Sequence, residues 1–266
     1  MTTNTMNHER QDAVSPTACV LLIGNELLSG KTQDSNLQYL GSKLAELGVR
    51  LAEARVLPDD EDVIVATLND CRKQFDYVFT TGGIGPTHDD ITSQCIAAAF
   101  GRELILDEEA VARLRRGSFE LNEARLKMAR VPDGATLIDN PLSNAPGFRV
   151  ENVFVLAGIP SVARAMFETI AAELAVGTPI HSRNVDVFLR EGDIAEPLER
   201  IAAQYPEIEI GSYPFSRAGR FGANLVVRGT DVRQLEQALA QIVTTMTELG
   251  DESSVGTPSN LSQSSD

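Results

Sequence analysis

Apolar residues in this chain fall into short unbroken runs separated by segments of helical spacing. Residues 18–24, ACVLLIG, are a continuous apolar run of the kind that forms a strand buried on both faces. Leu37, Leu40, Leu44 and Leu47 then recur at helical spacing, with Asp34 and Ser35 placed to cap the helix and Gly48 placed to end it. The alternation repeats. Residues 49–57 predict a strand, 59–74 a helix with an acidic first turn, and 76–81 a strand. Ile91, Cys95, Ile96, Ala99 and Phe100 form the apolar face of another helix, expected to start near Asp89. Strand–helix alternation with short connections predicts an α/β fold, a three-layer mostly parallel sheet with right-handed crossovers. Ligands of such sheets bind at the carboxyl ends of the strands, which puts residues 24–29 and 82–90 at one edge.

Further on, the pattern predicts an acidic-capped helix over 107–117, a strand over 135–139, a hairpin through 147–158 and a helix over 161–175. Beyond Gly177 the texture changes. Residues 182–190 alternate as a half-exposed strand, 193–204 read as a short helix capped by Asp193, 207–213 and 220–229 as strands, and 231–248 as a helix with Leu235, Leu239, Ile242 and Met246 on one face. The expected organisation is a main domain over 17–177 and a small appended α+β subdomain over 178–250. Residues 1–16 and 251–266 are polar and rich in Ser, Thr, Asn and Asp, and are expected to be disordered tails.

Charge narrows the partners. With 38 acidic against 23 basic side chains the formal net charge is −15, a field that repels nucleic acid and anionic membranes. No segment has the apolar length of a membrane span, and the start lacks a basic segment followed by an apolar run. The three cysteines, Cys19, Cys71 and Cys95, lie among apolar residues without CxxC spacing, and an odd count argues against a disulfide framework. Buried thiols in a reducing cytoplasm are the expectation.

The chemistry concentrates in YVFTTGGIGPTHDDIT, residues 77–92. Gly82, Gly83 and Gly85 let backbone N–H groups converge on an anion, and the following helix adds the positive end of its dipole. The spacing matches neither GxxxxGK[ST] nor GxGxxG. Two carboxylates, Asp89 and Asp90, stand where a phosphate would be held, and they repel it unless a divalent cation sits between. Hard oxygen ligands suit Mg²⁺, Mn²⁺ or Co²⁺. The same residues also fit a plain capping pattern, Thr87 through Asp90, with acidic side chains complementing a helix dipole. His88 reads either as a solvated loop residue or as a group that tunes the site.

Four segments, IGNELLSGKTQDSN (23–36), TTGGIGPTHDDIT (80–92), VPDGATLIDNPLSNAPGF (131–148) and LAGIPSVARAMFE (156–168), together resemble the MoaB/Mog molybdopterin-binding superfamily, in the branch of competence/damage-inducible protein A, CinA. RVLPDDED, AAAFG, HSRNV and IGSYPFSRAGRF extend a second resemblance, to the molybdopterin-binding-like domain of eukaryotic FAD synthases and its trailing subdomain. That domain is associated with metal-dependent hydrolysis of FAD; the synthase domain itself, and the CinA deamidase domain, are not expected within this chain.

Residue by residue, the resemblance implies a phosphate or pterin-phosphate cradle at Gly82, Gly83, Gly85 and Thr87, with Asp89 and Asp90 as the acidic, metal-holding pair. Asn25 and Glu26 follow Gly24 where the family has a polar residue and a glutamate, and Asp34 and Asn36 match the polar positions opening the first helix, although Asp34 is equally a plain N-cap. Arg125 and Lys127 match a basic segment, with Met128 in place of its glutamine. Asn140, Ser143, Asn144, Ala145, Pro146 and Gly147 match an N-P-x-x-x-A-P-G loop. Gly158, Pro160 and Ser161 keep the PGxPSE loop, but Ala157 replaces its proline and Val162 its glutamate.

Two functions follow. The first is a metal-dependent pyrophosphatase cutting FAD or ADP-ribose to AMP and a second monophosphate, with Asp89 and Asp90 on the metal, Glu26 either activating water or supporting the metal's ligands from behind, and Lys127 neutralising the leaving phosphate. The second is a module that binds molybdopterin or a related pterin phosphate without turnover. The resemblance also implies a homo-oligomer.

Overall fold

The computed structural model describes residues 15–251 except 118–119, 175–176 and 218, so the expected tails lie outside the described residues but for Ser15, Pro16 and Asp251. The chain divides into two compact units, Met1–Gly177 and Thr178–Asp266.

The first unit runs β1 (Thr17–Ile23), α1 (Asn25–Leu28), α2 (Asn36–Glu46), β2 (Arg50–Leu57), α3 (Glu61–Gln74), β3 (Tyr77–Thr81), α4 (Thr92–Phe100), β4 (Leu104–Leu106), α5 (Glu108–Arg115), α6 (Glu123–Leu126), β5 (Arg130–Pro132), β6 (Thr136–Ile138), β7 (Gly147–Val150), β8 (Val153–Leu156) and α7 (Pro160–Ile170). A six-stranded sheet has the order β2-β1-β3-β8-β7-β6; the first four strands are parallel, and the β7–β8 hairpin makes the last two pairings antiparallel. β4 and β5 form a separate two-stranded ribbon.

The unbroken apolar run of β1 has a direct cause. Cys19, Leu21 and Ile23 pack against Ile64, Leu68 and Cys71 of α3 and Cys95 and Ile96 of α4. Ala18, Val20 and Leu22 pack the other way, against Leu40 and Leu44 of α2 and Met166, Phe167 and Ile170 of α7. Successive side chains on a strand point to opposite faces, so a sheet covered on both sides needs an apolar residue at every position. Cys19, Cys71 and Cys95 are all buried free thiols, with the first two sulfurs 3.6 Å apart.

Several boundaries differ from expectation. α4 begins at Thr92, three residues past Asp89, because Gly83 O accepts from Thr92 N at 2.9 Å and the Thr92 hydroxyl donates to Gly82 O at 2.9 Å. Asp89 and Asp90 therefore stand in the loop and not in a first helical turn. The helix expected over 161–175 is α-helical only to Ile170 and tightens into a 3₁₀ turn over Ala171–Glu173.

The second unit comprises β9 (His181–Val187), α8 (Glu191–Ala202), β10 (Glu209–Arg217), β11 (Arg220–Gly229) and α9 (Val232–Glu248). Its antiparallel sheet, ordered β10-β11-β9, buries Val187, Leu225 and Val227 against Ile194, Leu198 and Ile201 of α8 and Leu235, Ile242 and Met246 of α9. Asp193 does not cap α8; Arg190 holds that position and its carbonyl accepts from Asp193 N at 2.9 Å. Among the described residues no helix is long and apolar enough to cross a membrane.

Candidate functional site

Adjacent parallel strands deliver three loops to one edge of the first unit. Leu22 of β1 is paired with Thr81 of β3, and Thr81 with Leu156 of β8, so residues 24–29, 82–90 and 157–160 leave the sheet side by side. The closeness fixes the glycines. Gly82, at φ 100°, would place a Cβ 2.2 Å from Ile23 O, and Gly83, at φ 68°, would place one 2.1 Å from the Thr92 hydroxyl. Both conditions exclude any other residue. The room left by the missing side chains at Gly82 and Gly83 is thus taken by the protein's own atoms. Gly158 sits against the same point, its Cβ position 3.2 Å from Gly82 Cα.

The tip of the 82–90 loop is organised by its own acids. Thr87 N donates to Asp90 Oδ2 at 2.7 Å, and the Thr87 hydroxyl lies 2.5 Å from both Asp89 Oδ1 and Asp90 Oδ2. A hydroxyl carries one proton. Two carboxylate oxygens therefore converge on a group that can donate to only one of them. The hydrogen bond from Thr87 holds the Asp89 carboxyl below its ordinary value, helped by its own backbone and by the charges of His88 and Lys127. The Asp90 carboxylate also lies over Gly85, whose Cβ position is 2.7 Å from Oδ2. Lys127 reaches in from the 3₁₀ turn Lys127–Ala129, and its ammonium donates to Thr87 O. His88 is fully turned to solvent, with Nδ1 3.9 Å from Asp89 Oδ1.

Behind this tip is a cavity of about 400 Å³ lined by Ile84, Gly85, Asp90, Ser93, Gln94, Leu104, Glu123, Ala124, Lys127 and Arg130. It joins one acid of the pair to the basic segment. Arg125, the other half of the expected basic pair, instead turns a guanidinium N–H to Glu120 O.

The neighbouring loops hold the remaining residues. The Glu26 carboxylate folds back over Gly24, and the Asn25 amide N–H is held by Asp59 Oδ2 at 2.9 Å. Asp59 is an edge residue that the sequence pattern concealed: beside Asp60, which caps α3 through Val63 N, it reads as one more acid of a first turn. Ser35 holds the N-cap position of α2 without a side-chain bond, and Asp34, one residue earlier, accepts from Leu37 N at 2.9 Å. Asn36 is buried; its Nδ2 donates to Gly158 O at 2.9 Å while its Oδ1 has no partner among the described residues. Pro160 opens α7.

A third group faces inward. Asn140 Nδ2 donates to Ser143 Oγ at 2.6 Å and Ala145 O at 2.8 Å, and its Oδ1 accepts from Leu142 N and Ser143 N. Its whole hydrogen-bonding capacity is used within its own loop. Gly147 is a packing glycine, with a Cβ position 2.3 Å from both Met166 Cε and Val155 O. Ala157 and Val162, the two departures from the expected loop, pack against the α2–α7 core. No carboxylate comes from that position.

Residues 19–176 match the family described as a probable molybdopterin binding domain. The chain belongs to this family. Residues 179–250 match the FAD synthase middle domain. A protein of Archaeoglobus fulgidus is 36% identical over 195 residues, covering 73% of this chain and 84% of that one. A CinA-like protein of Kosmotoga olearia is 31% identical over 235 residues, covering 84% of this chain and 57% of its own length. The crystal structure of CinA from Thermoplasma acidophilum, described as of unknown function, superposes with a TM-score of 0.56 at 33% identity, over 60% of this chain and 98% of that one. This molybdopterin binding domain is thus of the CinA-like, MoaB/Mog type, and its family leaves the chemistry to be argued from the site.

Proposed function

We propose that this molybdopterin binding domain protein is a divalent-metal-dependent nucleotide pyrophosphatase that hydrolyses FAD or ADP-ribose to AMP and a second monophosphate. The observation that carries the reading is the pair of carboxylate oxygens, from Asp89 and Asp90, held around the single Thr87 hydroxyl, with Asp90 also lining a cavity. Such convergence favours a cation. Among the described residues no group of three or more His, Cys, Asp or Glu side chains forms a metal cage. Two carboxylates with remaining positions filled by substrate phosphate and water is the usual provision for Mg²⁺. When bound, the ion supplies Lewis acidity and an acidified water.

The protein's own groups divide the remaining work. Asp89 and Asp90 hold the cation, and Thr87 fixes both carboxylates. Lys127, at the cavity wall, places positive charge beside the phosphate that leaves, where charge develops as the bridging P–O bond breaks. Glu26, on the neighbouring loop of the same edge, is the proposed acceptor of the proton that water loses on bonding to phosphorus. The cavity shields one half of the substrate.

A second reading is favoured by Val162, whose apolar packing replaces the glutamate of the related loop: a module that binds molybdopterin or another pterin phosphate without cleaving it. Incubating purified protein with FAD or ADP-ribose, with and without Mg²⁺ or Co²⁺, separates the two. Metal-dependent AMP release that Asp90→Asn lowers by at least about 100-fold supports the enzyme. Pterin binding without AMP release by the wild type rejects it.

A further inference from the structure

The sheet of the second unit has one face against α8 and α9. The other carries Tyr213, Phe215 and Arg217 of β10, opposite Asn224, Gly222 and Arg220 of β11. Two glycines change what this face offers. A Cβ at Gly211 would lie 3.1 Å from Tyr213 Cε2 and 3.2 Å from its hydroxyl, so the tyrosine ring lies back over bare backbone of its own strand. A Cβ at Gly222 would lie 2.7 Å from Phe215 Cζ, so that ring rests across the strand pair in the same way. Both rings are seated on the sheet surface.

Two guanidinium groups extend this layer. Arg217 Cζ is 4.3 Å from the centroid of Phe215, and Arg220 Cζ is 4.2 Å from that of Phe188. Phe188 meets Phe215 edge to face at 5.5 Å. Packing accounts for Phe188 and Phe215. It does not account for Tyr213, which is 51% exposed. Arg217 is paired with Asp186, which also accepts from Asn224 at 2.6 Å, whereas Arg220 has no ion pair among the described residues. The Arg217 guanidinium lies above Phe215, two strand positions from Tyr213, or about 7 Å by strand rise.

We propose that this face is a second binding site, for a mononucleotide or the nucleotide end of a dinucleotide, with the base stacked on Tyr213 and the phosphates held by Arg217 and Arg220. A net charge of −15 disfavours a long polyanion, so one nucleotide is the fitting occupant.

The test is calorimetric titration of the full chain with ADP in EDTA, which keeps any metal-dependent site silent. Tyr213→Ala weakens ADP roughly tenfold, while Tyr213→Phe, which keeps the stacking face, leaves it unchanged. Arg220→Gln weakens ADP and not adenosine. Both positions are at the surface, and an unchanged thermal midpoint verifies folding. Absence of ADP binding by the wild type in EDTA overturns the proposal. So does wild-type ADP affinity in Tyr213→Ala or Arg220→Gln. Tighter binding of single-stranded oligoadenylate than of ADP also overturns it, assigning the face to nucleic acid instead.

Discussion

The loops at 82–90 and 140–147 both carry glycine, proline and polar residues matching a family motif, yet they use those residues in opposite ways. Asn140 is 6% exposed and makes four hydrogen bonds, all within its own loop. In the other loop Thr87 and Asp89 are exposed, and one hydroxyl proton faces two carboxylate oxygens. A polar residue in a motif marks a ligand site only where the fold leaves its capacity unfilled. By that measure the first loop is the site and the second is part of the frame.

The contrast makes opposite demands on mutants. Asn140→Ala removes the hub of its loop and is expected to destabilise the protein by about 3 kcal/mol, at roughly 1 kcal/mol per buried hydrogen bond less relaxation. Urea unfolding measures it, and AMP release per folded molecule stays at the wild-type level. Thr87→Val does the reverse. Metal-dependent turnover falls about tenfold while stability changes by less than ~1 kcal/mol, because the loop is solvated and only the carboxylates lose their organiser. Equal effects on stability from the two substitutions would break the distinction.

A finer effect concerns pH. The Thr87 hydrogen bond depresses the Asp89 carboxyl, so its contribution to stability and to cation holding is full above the ordinary carboxylate value and is lost as pH falls through the lower folded value. In Thr87→Val the acid limb of metal binding is therefore expected to move to higher pH, as titrations across the acidic range would record. An unmoved limb would mean that Asp89 does not hold the ion.

Much of the fold could be read from β1, where an apolar residue at every position implies cover on both faces and hence crossover helices. The hairpin of β7 and β8 and the helical stripe of Leu40 and Leu44 were equally open to pattern. The short β4 and β5, which pair only with each other, were not. The start of α4 was misplaced because Thr87 through Asp90 mimics a capping sequence, and only the close approach of Gly82, Gly83 and Thr92 moves the helix on by three residues. At the site, the pattern singled out Asp89 and Asp90 and the family resemblance added Lys127, but neither pointed to Arg130, Ser93 and Gln94, which share the cavity only through folding. Whether Asn140 or Thr87 has hydrogen-bonding capacity left is a property of three-dimensional neighbours, which the order of residues does not encode.

The central claim is that Asp89 and Asp90 hold a divalent cation beside a phosphate. The most direct measurement is calorimetric titration of Mn²⁺ into the full chain with AMP present, for the wild type, Asp89→Asn and Asp90→Asn. A single Mn²⁺ per chain is expected for the wild type, weakened at least about tenfold by either substitution. No Mn²⁺ binding by the wild type, or wild-type affinity in either variant, would contradict the account.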